Sequence, residues 1–367
     1  MIELLHILSD SNIGGAGKAL LSFLDGFDTT GFRVRVALPQ GSEMESLVRP
    51  YPVDVIPLPC GGDRSLAPDF LAASSALIRK VRPTVLHTHA GLAAQLAGLY
   101  HRVPVRVATK HRVEAHTGIL RRLSLPNAGI RWIAVSEAVA QGLRRAGVPR
   151  NWVFTVPNGV SVRAEEDGGT EGDLRAALGI GVADPVYGIV GRCEAEKGID
   201  CFLTAARIVR EAVPCARFLV VGSGSLLPEL RRLAQPGVQV LGYREDMRAV
   251  YATLDVLVNA SLTEAASMSL LEGMAAGLPV IATRVGGTPE LVGDSGRLFL
   301  PQDAGALAEA MLALADPIAR KRAGAQSRAR IRERYQNTVT AELLRELYLD
   351  FCGETPYSRL RRQPRFY

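Results

Sequence analysis

Val186-Tyr187-Gly188-Ile189-Val190 runs directly into Gly191-Arg192-Cys193-Glu194-Ala195-Glu196-Lys197-Gly198, and a helical pattern follows from Ile199 to Val213. An apolar run, a glycine-bounded charged turn and an amphipathic stretch are the strand, loop and helix of a parallel α/β unit. The turn lies at the C-terminal edge of its strand, where open α/β sheets bind ligands. Its two fixed cations, Arg192 and Lys197, between two glycines suit a diphosphate. A second reading stays open, a solvated turn in which Glu194 and Glu196 pair with Arg192 and Lys197.

The same alternation extends in both directions. Downstream it continues through Phe218 to Val221, Val238 to Leu241, Val256 to Val258, Val280 to Thr283 and Leu298 to Leu300; upstream lie Glu3 to Leu8, Arg33 to Leu38, Val53 to Leu58, Thr84 to His89, Val105 to Thr109 and Trp132 to Val135. Such a chain predicts parallel sheets covered by helices on both faces. At 367 residues and 47% hydrophobic it exceeds one ordinary core, and single cores stop growing near ~250 to 300 residues. The turn Pro157-Asn158-Gly159 and the charged, Gly-rich stretch from Arg163 to Gly172 mark the boundary. The expected division is a Rossmann-like domain over 1–158, a second over 159–335, and a helix with a basic tail over 336–367. No sequence repeat links the two halves.

Other segments carry candidate chemistry. Gly14-Gly15 and Gly222-Ser223-Gly224 each follow a strand, where glycine lets the backbone approach a ligand or simply permits tight packing. Neither completes GxGxxG, and no acidic residue ends the second strand, which disfavours a nicotinamide enzyme. Glu264 and Glu272 lie eight apart after the strand Asp255 to Asn259, with a helix starting near Ser267 or Ser269. Carboxylates accept paired hydrogen bonds from vicinal hydroxyls, so a sugar and a ribose are natural partners. Alternatively, Ser269 and Glu272 have the spacing of a capping box. His87 and His89 share one strand face, but HxH without a third ligand is a poor metal site. The chain contains no DxD sequence.

Composition narrows the class. The longest apolar runs fall short of the ~18 residues a membrane span needs, and no signal-peptide pattern opens the chain, so a cytoplasmic location is expected. Five cysteines without CxxC spacing read as reduced, mostly buried thiols. The net charge of +6 is uneven, with residues 1–150 at +7 and the rest at −1. No nucleic-acid motif accompanies that basic half, which points instead to an acidic ligand or an anionic membrane face. Arg112, Arg121 and Arg122, together with the Arg- and Tyr-containing tail Pro356 to Tyr367, belong to the same expectation.

In their order these segments resemble the family 4 glycosyltransferases. The resemblance rests on Gly14-Gly15, His87-Thr88-His89, Val135-Ser136-Glu137, Val156 to Val160, Gly191-Arg192 with Glu196-Lys197-Gly198, Gly222-Ser223-Gly224, Glu264 with Glu272, Gly273 to Val280 and Gly286 to Glu290. It implies a GT-B fold, with two Rossmann-like parallel-sheet domains facing a cleft and a C-terminal helix crossing back to the first. It further implies retaining transfer of a sugar from a nucleotide-sugar; the donor is expected to be a UDP-hexose, and the basic first domain leads to the expectation of a lipid-linked or polysaccharide acceptor at the inner membrane face. No nucleic acid partner, metal or cofactor is expected. In similar enzymes the residues matching Arg192 and Lys197 bind the diphosphate and that matching Glu272 binds the ribose. Glu264, with backbone amides near Ser267, Met268 and Ser269, would meet the transferred sugar. Gly14-Gly15 would close over the phosphates, Gly222 and Gly224 would line the donor site, and His111 would lie beside the sugar. Arg112 replaces the usual small residue after that histidine, and Ala265-Ala266-Ser267 replaces a glycine-containing segment. A nucleotide-sugar 2-epimerase and a non-catalytic nucleotide-sugar sensor share the architecture and remain alternatives.

Overall fold

The computed structural model describes the chain except residues 10–12, 61–66, 90, 114–128, 163–170, 234 and 354–367 and the side chains of 171–173. Arg121, Arg122, most of the Gly-rich stretch and the basic tail therefore lie outside the described residues. Two compact units result, one of residues 1–159 and 337–367, the other of 160–336.

The first unit is a seven-stranded sheet: β1 (Ile2–Leu8), β2 (Phe32–Pro39), β3 (Asp54–Leu58), β4 (Val85–His89), β5 (Val105–Lys110), β6 (Ile130–Ala134) and β7 (Val153–Thr155), in the spatial order β3-β2-β1-β4-β5-β6-β7. Every pairing is parallel. Alternation decides the two faces. Leu4 and Leu8 join Phe23, Phe27 and Tyr348 on one side of the sheet, while Leu5 and Ile7 join Phe70, Ile78 and Leu86 on the other. The last helix, Asn337–Phe351, belongs to this unit, as the crossing-helix expectation required. It docks against helix Gly15–Gly26, with Asn337 Nδ2 donating to Asp25 Oδ2 at 2.6 Å and Tyr348 fully buried. A β-carbon on Gly26 would lie 2.6 Å from the Asn337 carbonyl oxygen, so only glycine allows that approach.

The second unit is a six-stranded parallel sheet: β8 (Val186–Val190), β9 (Arg217–Val221), β10 (Val238–Gly242), β11 (Val256–Asn259), β12 (Val280–Thr283) and β13 (Arg297–Phe299), ordered β10-β9-β8-β11-β12-β13. Tyr187, Phe202, Phe218 and Met311 form the core on one face. Leu219, Tyr251, Leu257, Leu271 and Met274 form it on the other. The near-continuous apolar strands follow from burial on both sides. In each unit strand order reverses once, between β1 and β4 and between β8 and β11, and at such a switch point the loops leave in opposite directions and open a crevice.

Candidate functional site

The crevice of the second unit is built by the loops after β8 and β11. Gly198 ends the first loop with φ 61°, and its missing side chain admits the Ala260 carbonyl oxygen to 2.1 Å of where a β-carbon would sit. Leu262 N donates to Glu196 O at 2.8 Å, so backbone contacts join the two loops. Across this junction Lys197 Nζ reaches Glu264 Oε2 at 2.7 Å, with side chains only 21% and 13% exposed. Ser261 Oγ donates to the same Glu264 oxygen at 3.4 Å. Gly191, Arg192, Lys197, Val221, Asn259 and Ser261 line the crevice.

Half of the solvated-turn alternative is realised. Arg192 and Glu196 pair at 2.8 Å, with the arginine side chain 63% exposed. Glu194 instead accepts from Ser225 N at 2.9 Å and Ser225 Oγ at 2.5 Å, which holds its carboxyl below the usual range and ties the β8 loop to the turn after β9. Lys197 turns away from its own loop to Glu264, which local spacing could not show. The result is a crevice lined by two cations, each paired with a carboxylate, Arg192 with Glu196 and Lys197 with Glu264.

The glycines after β9 have a packing explanation. A β-carbon on Gly222 would lie 1.8 Å from the Gly191 carbonyl oxygen, and one on Gly224 would lie 2.5 Å from that of Cys193. Cys193 N donates to Ser223 O at 2.8 Å and Leu226 N to Cys193 O at 2.9 Å. These residues fix the loop that carries Arg192. Gly191 itself would meet nothing within 4 Å, and neither would Gly15 in the first unit. Gly14 caps helix Gly15–Gly26 in extended conformation.

Beyond β11, the helix start resolves in favour of Ser267. It caps helix Met268–Ala275, accepting from Leu270 N at 3.3 Å, and Ser269 Oγ lies 3.1 Å from its hydroxyl. Asn259 Nδ2 braces the same hydroxyl at 3.3 Å. The Ser269–Glu272 capping box is therefore not formed. Glu272 lies beyond the first turn, and Tyr251 Oη donates to its Oε2 at 2.7 Å. Met268 is buried.

In the first unit the HxH pair acquires the third histidine that the sequence argument lacked. His6 on β1 sits beside His87 on β4, and ligand-capable atoms of His6, His87 and His89 lie within 4.8 Å of one another. His87 is engaged at both nitrogens, by Tyr348 Oη at 2.5 Å and Thr109 Oγ1 at 2.6 Å. The rings of His87 and His89 stack at 4.5 Å, and those of His89 and His111 at 5.8 Å. His111 is half-buried, its Nε2 enclosed without a hydrogen-bond partner among the described residues, while Arg112 is exposed.

Burial holds all four imidazoles neutral, His6 down to about 3, His111 down to about 4, and His87 and His89 well below the ordinary value. The unfolded chain takes up these protons near pH ~6.5, so folding stability is complete above that pH and falls as the pH drops towards the folded values. Each histidine then costs about 1.4 kcal/mol per pH unit in that window. The urea midpoint should consequently fall steeply between pH 7.5 and 5. A midpoint independent of pH over that range would contradict the buried cluster.

The five cysteines are all free: Cys193 and Cys201 are buried, Cys60 and Cys352 half-buried and Cys215 exposed, fewer buried than expected. Asn259 and Ser261 line the crevice without having been singled out. Asn259 left a trace, a polar residue ending an apolar strand.

Comparison with known proteins agrees with this geometry. Residues 13–163 match the family described as Glycosyltransferase Family 4, and residues 184–316 match that described as Glycosyl transferases group 1. The chain is 24% identical over 305 residues to the Escherichia coli UDP-Gal:alpha-D-GlcNAc-diphosphoundecaprenol alpha-1,3-galactosyltransferase, covering 75% of this chain and 77% of that one. It is 35% identical over 192 residues to the D-inositol 3-phosphate glycosyltransferase of Corynebacterium urealyticum, covering 48% and 45% of the two chains. In fold it is similar to Anabaena HepE in complex with UDP-glucose, with a TM-score of 0.82 at 20% identity over 95% of this chain and 100% of that one. With two parallel Rossmann-like sheets, a returning C-terminal helix and both halves matching, the chain belongs to the family 4 glycosyltransferases of the GT-B fold.

Proposed function

We propose that the protein transfers a hexose from a UDP-sugar, with retention of anomeric configuration, to a hydroxyl of a lipid-linked or polysaccharide acceptor. The observation that carries this reading is the meeting of Lys197 and Glu264 from two loops at one switch point, with Arg192 beside them. In the proposal Arg192 and Lys197 bind the diphosphate, Glu272 accepts from the ribose hydroxyls and Glu264 accepts from the transferred sugar. The acceptor hydroxyl attacks the anomeric carbon on the face from which UDP departs. The bond from that carbon to the phosphate oxygen breaks, and the acceptor proton passes to a phosphate oxygen of the leaving group. Arg192 and Lys197 offset the charge that develops there, without a metal ion. The UDP in the HepE complex supports the choice of nucleotide, and the diphosphoundecaprenol substrate of the Escherichia coli relative supports an acceptor of that kind. The net charge of +7 over residues 1–150 suits an anionic acceptor in the first unit.

Incubation with UDP-glucose and a polyprenyl-diphosphate-linked sugar, followed by NMR of the product, tests the reading. An α-glycoside with stoichiometric UDP supports it. A β-glycoside overturns retention, and an epimerised free donor overturns transfer.

In this scheme the donor phosphates displace Glu264 from Lys197 and free its carboxylate for the sugar. Glu264→Gln removes the competing charge, so UDP should bind about threefold more tightly while transfer falls at least about tenfold. Isothermal titration and initial rates on the same variant check both signs. Weaker UDP binding would contradict the displacement.

A further inference from the structure

We infer that Tyr251 is a positioning residue for the ribose, holding the Glu272 carboxylate in the orientation that accepts a vicinal diol. The inference rests on the proposed ribose role of Glu272.

Tyr251 lies on helix Met247–Thr253, which Asp246 caps by accepting from Ala249 N at 3.0 Å. Its ring is buried among Leu219, Leu257 and Leu271 in the core of the second unit. Its hydroxyl donates to Glu272 Oε2 at 2.7 Å. The Ser269 carbonyl oxygen, 3.5 Å away, is too distant to compete well for the proton. Burial and the neighbouring carboxylate push the phenol well above its ordinary value, so it stays a donor over the working pH range.

A glutamate side chain has three rotatable bonds, and fixing it costs free energy that a ligand must otherwise supply. A rigid phenol at one oxygen fixes the carboxylate beforehand. Each carboxylate oxygen carries two acceptor sites, so the bond from Tyr251 does not by itself prevent either oxygen from accepting from a ribose hydroxyl. A tyrosine that merely fastened one helix to the next would affect every ligand alike. A positioning tyrosine affects ligands in proportion to the hydroxyls they present.

Equilibrium binding of UDP and of 2′,3′-dideoxy-UDP to the full chain separates the two roles. Tyr251→Phe should weaken UDP about tenfold and leave the dideoxy compound within about twofold of wild type. In the Glu272→Gln background the same substitution should add little, because its effect acts through the carboxylate. Equal loss for both ligands, or no loss for UDP, overturns the inference. If Glu272→Gln weakens UDP and its dideoxy analogue by the same factor, the ribose role itself falls and the inference with it. If Glu272→Gln weakens UDP selectively and Tyr251→Phe does not, only the inference falls.

Discussion

Replacing Lys197 by alanine is expected to lower kcat/KM for sugar transfer by about 10²- to 10³-fold, the usual cost of removing a group that stabilises charge developing in the transition state. The ammonium is the less exposed of the two cations beside the crevice, and the loops after β8 and β11 place it across from Glu264. Charge leaving with the nucleotide would meet it at fixed position rather than after reorganisation. The fold should survive the change. Lys197 lies in a short turn outside both cores of the second unit, and Glu264 still accepts from Ser261 Oγ, while its backbone carbonyl accepts from Gly287 N at 3.0 Å. A stability loss of about 1 kcal/mol is expected. Lys197→Arg keeps the charge but not the compact ammonium, and should recover only part of the rate. Initial rates and urea unfolding on the same samples separate a chemical defect from a folding one. Near-normal transfer by the alanine variant would remove the leaving-group role.

Glu272→Ala should act on binding more than on turnover. Two charge-assisted bonds to a ribose diol are lost, each worth about 1.5 to 3 kcal/mol, so the donor KM and the dissociation constant of UDP should rise about 10²-fold or more. The turnover number at saturating donor should fall much less, because ribose contacts act equally on ground and transition states. The substitution also leaves the buried Tyr251 hydroxyl without its 2.7 Å acceptor. About 1 to 3 kcal/mol of stability goes with it. Glu272→Gln keeps an acceptor for the phenol and should restore most of that stability without restoring donor affinity. Unchanged UDP binding by the alanine variant would place the ribose elsewhere.

The path from residues to site was readable where local pattern decides structure. Val186 to Val190 and the glycine-bounded turn after it required no partner to be recognised, and the same holds for Val256 to Asn259. Sheet order follows from the βα alternation once the family resemblance supplies the topology. What stayed hidden depends on approach between distant segments. Lys197 and Glu264 are separated by three strands and the helices between them, so neither spacing nor periodicity announces their contact. His6 meets His89 at 3.0 Å only because β1 and β4 are neighbours, and without that pairing HxH lacks its third member. Tyr251 reads in sequence as one more apolar residue of an amphipathic helix, since its function lies in a single oxygen atom. The choice between Ser267 and Ser269 as helix cap turned on Asn259, a residue from the preceding strand. Gly222 and Gly224 show the converse case. Their sequence signal was real, and close packing of two loops accounts for it within the described residues.

Titration calorimetry of UDP into the full chain, its Lys197→Ala variant and its Glu272→Ala variant tests the placement of the donor in the second unit most directly. The account predicts one site per chain in the wild type, with affinity reduced at least about tenfold by either substitution, since each removes a charged contact. Wild-type affinity in both variants, or no binding of UDP by the native protein, would contradict it.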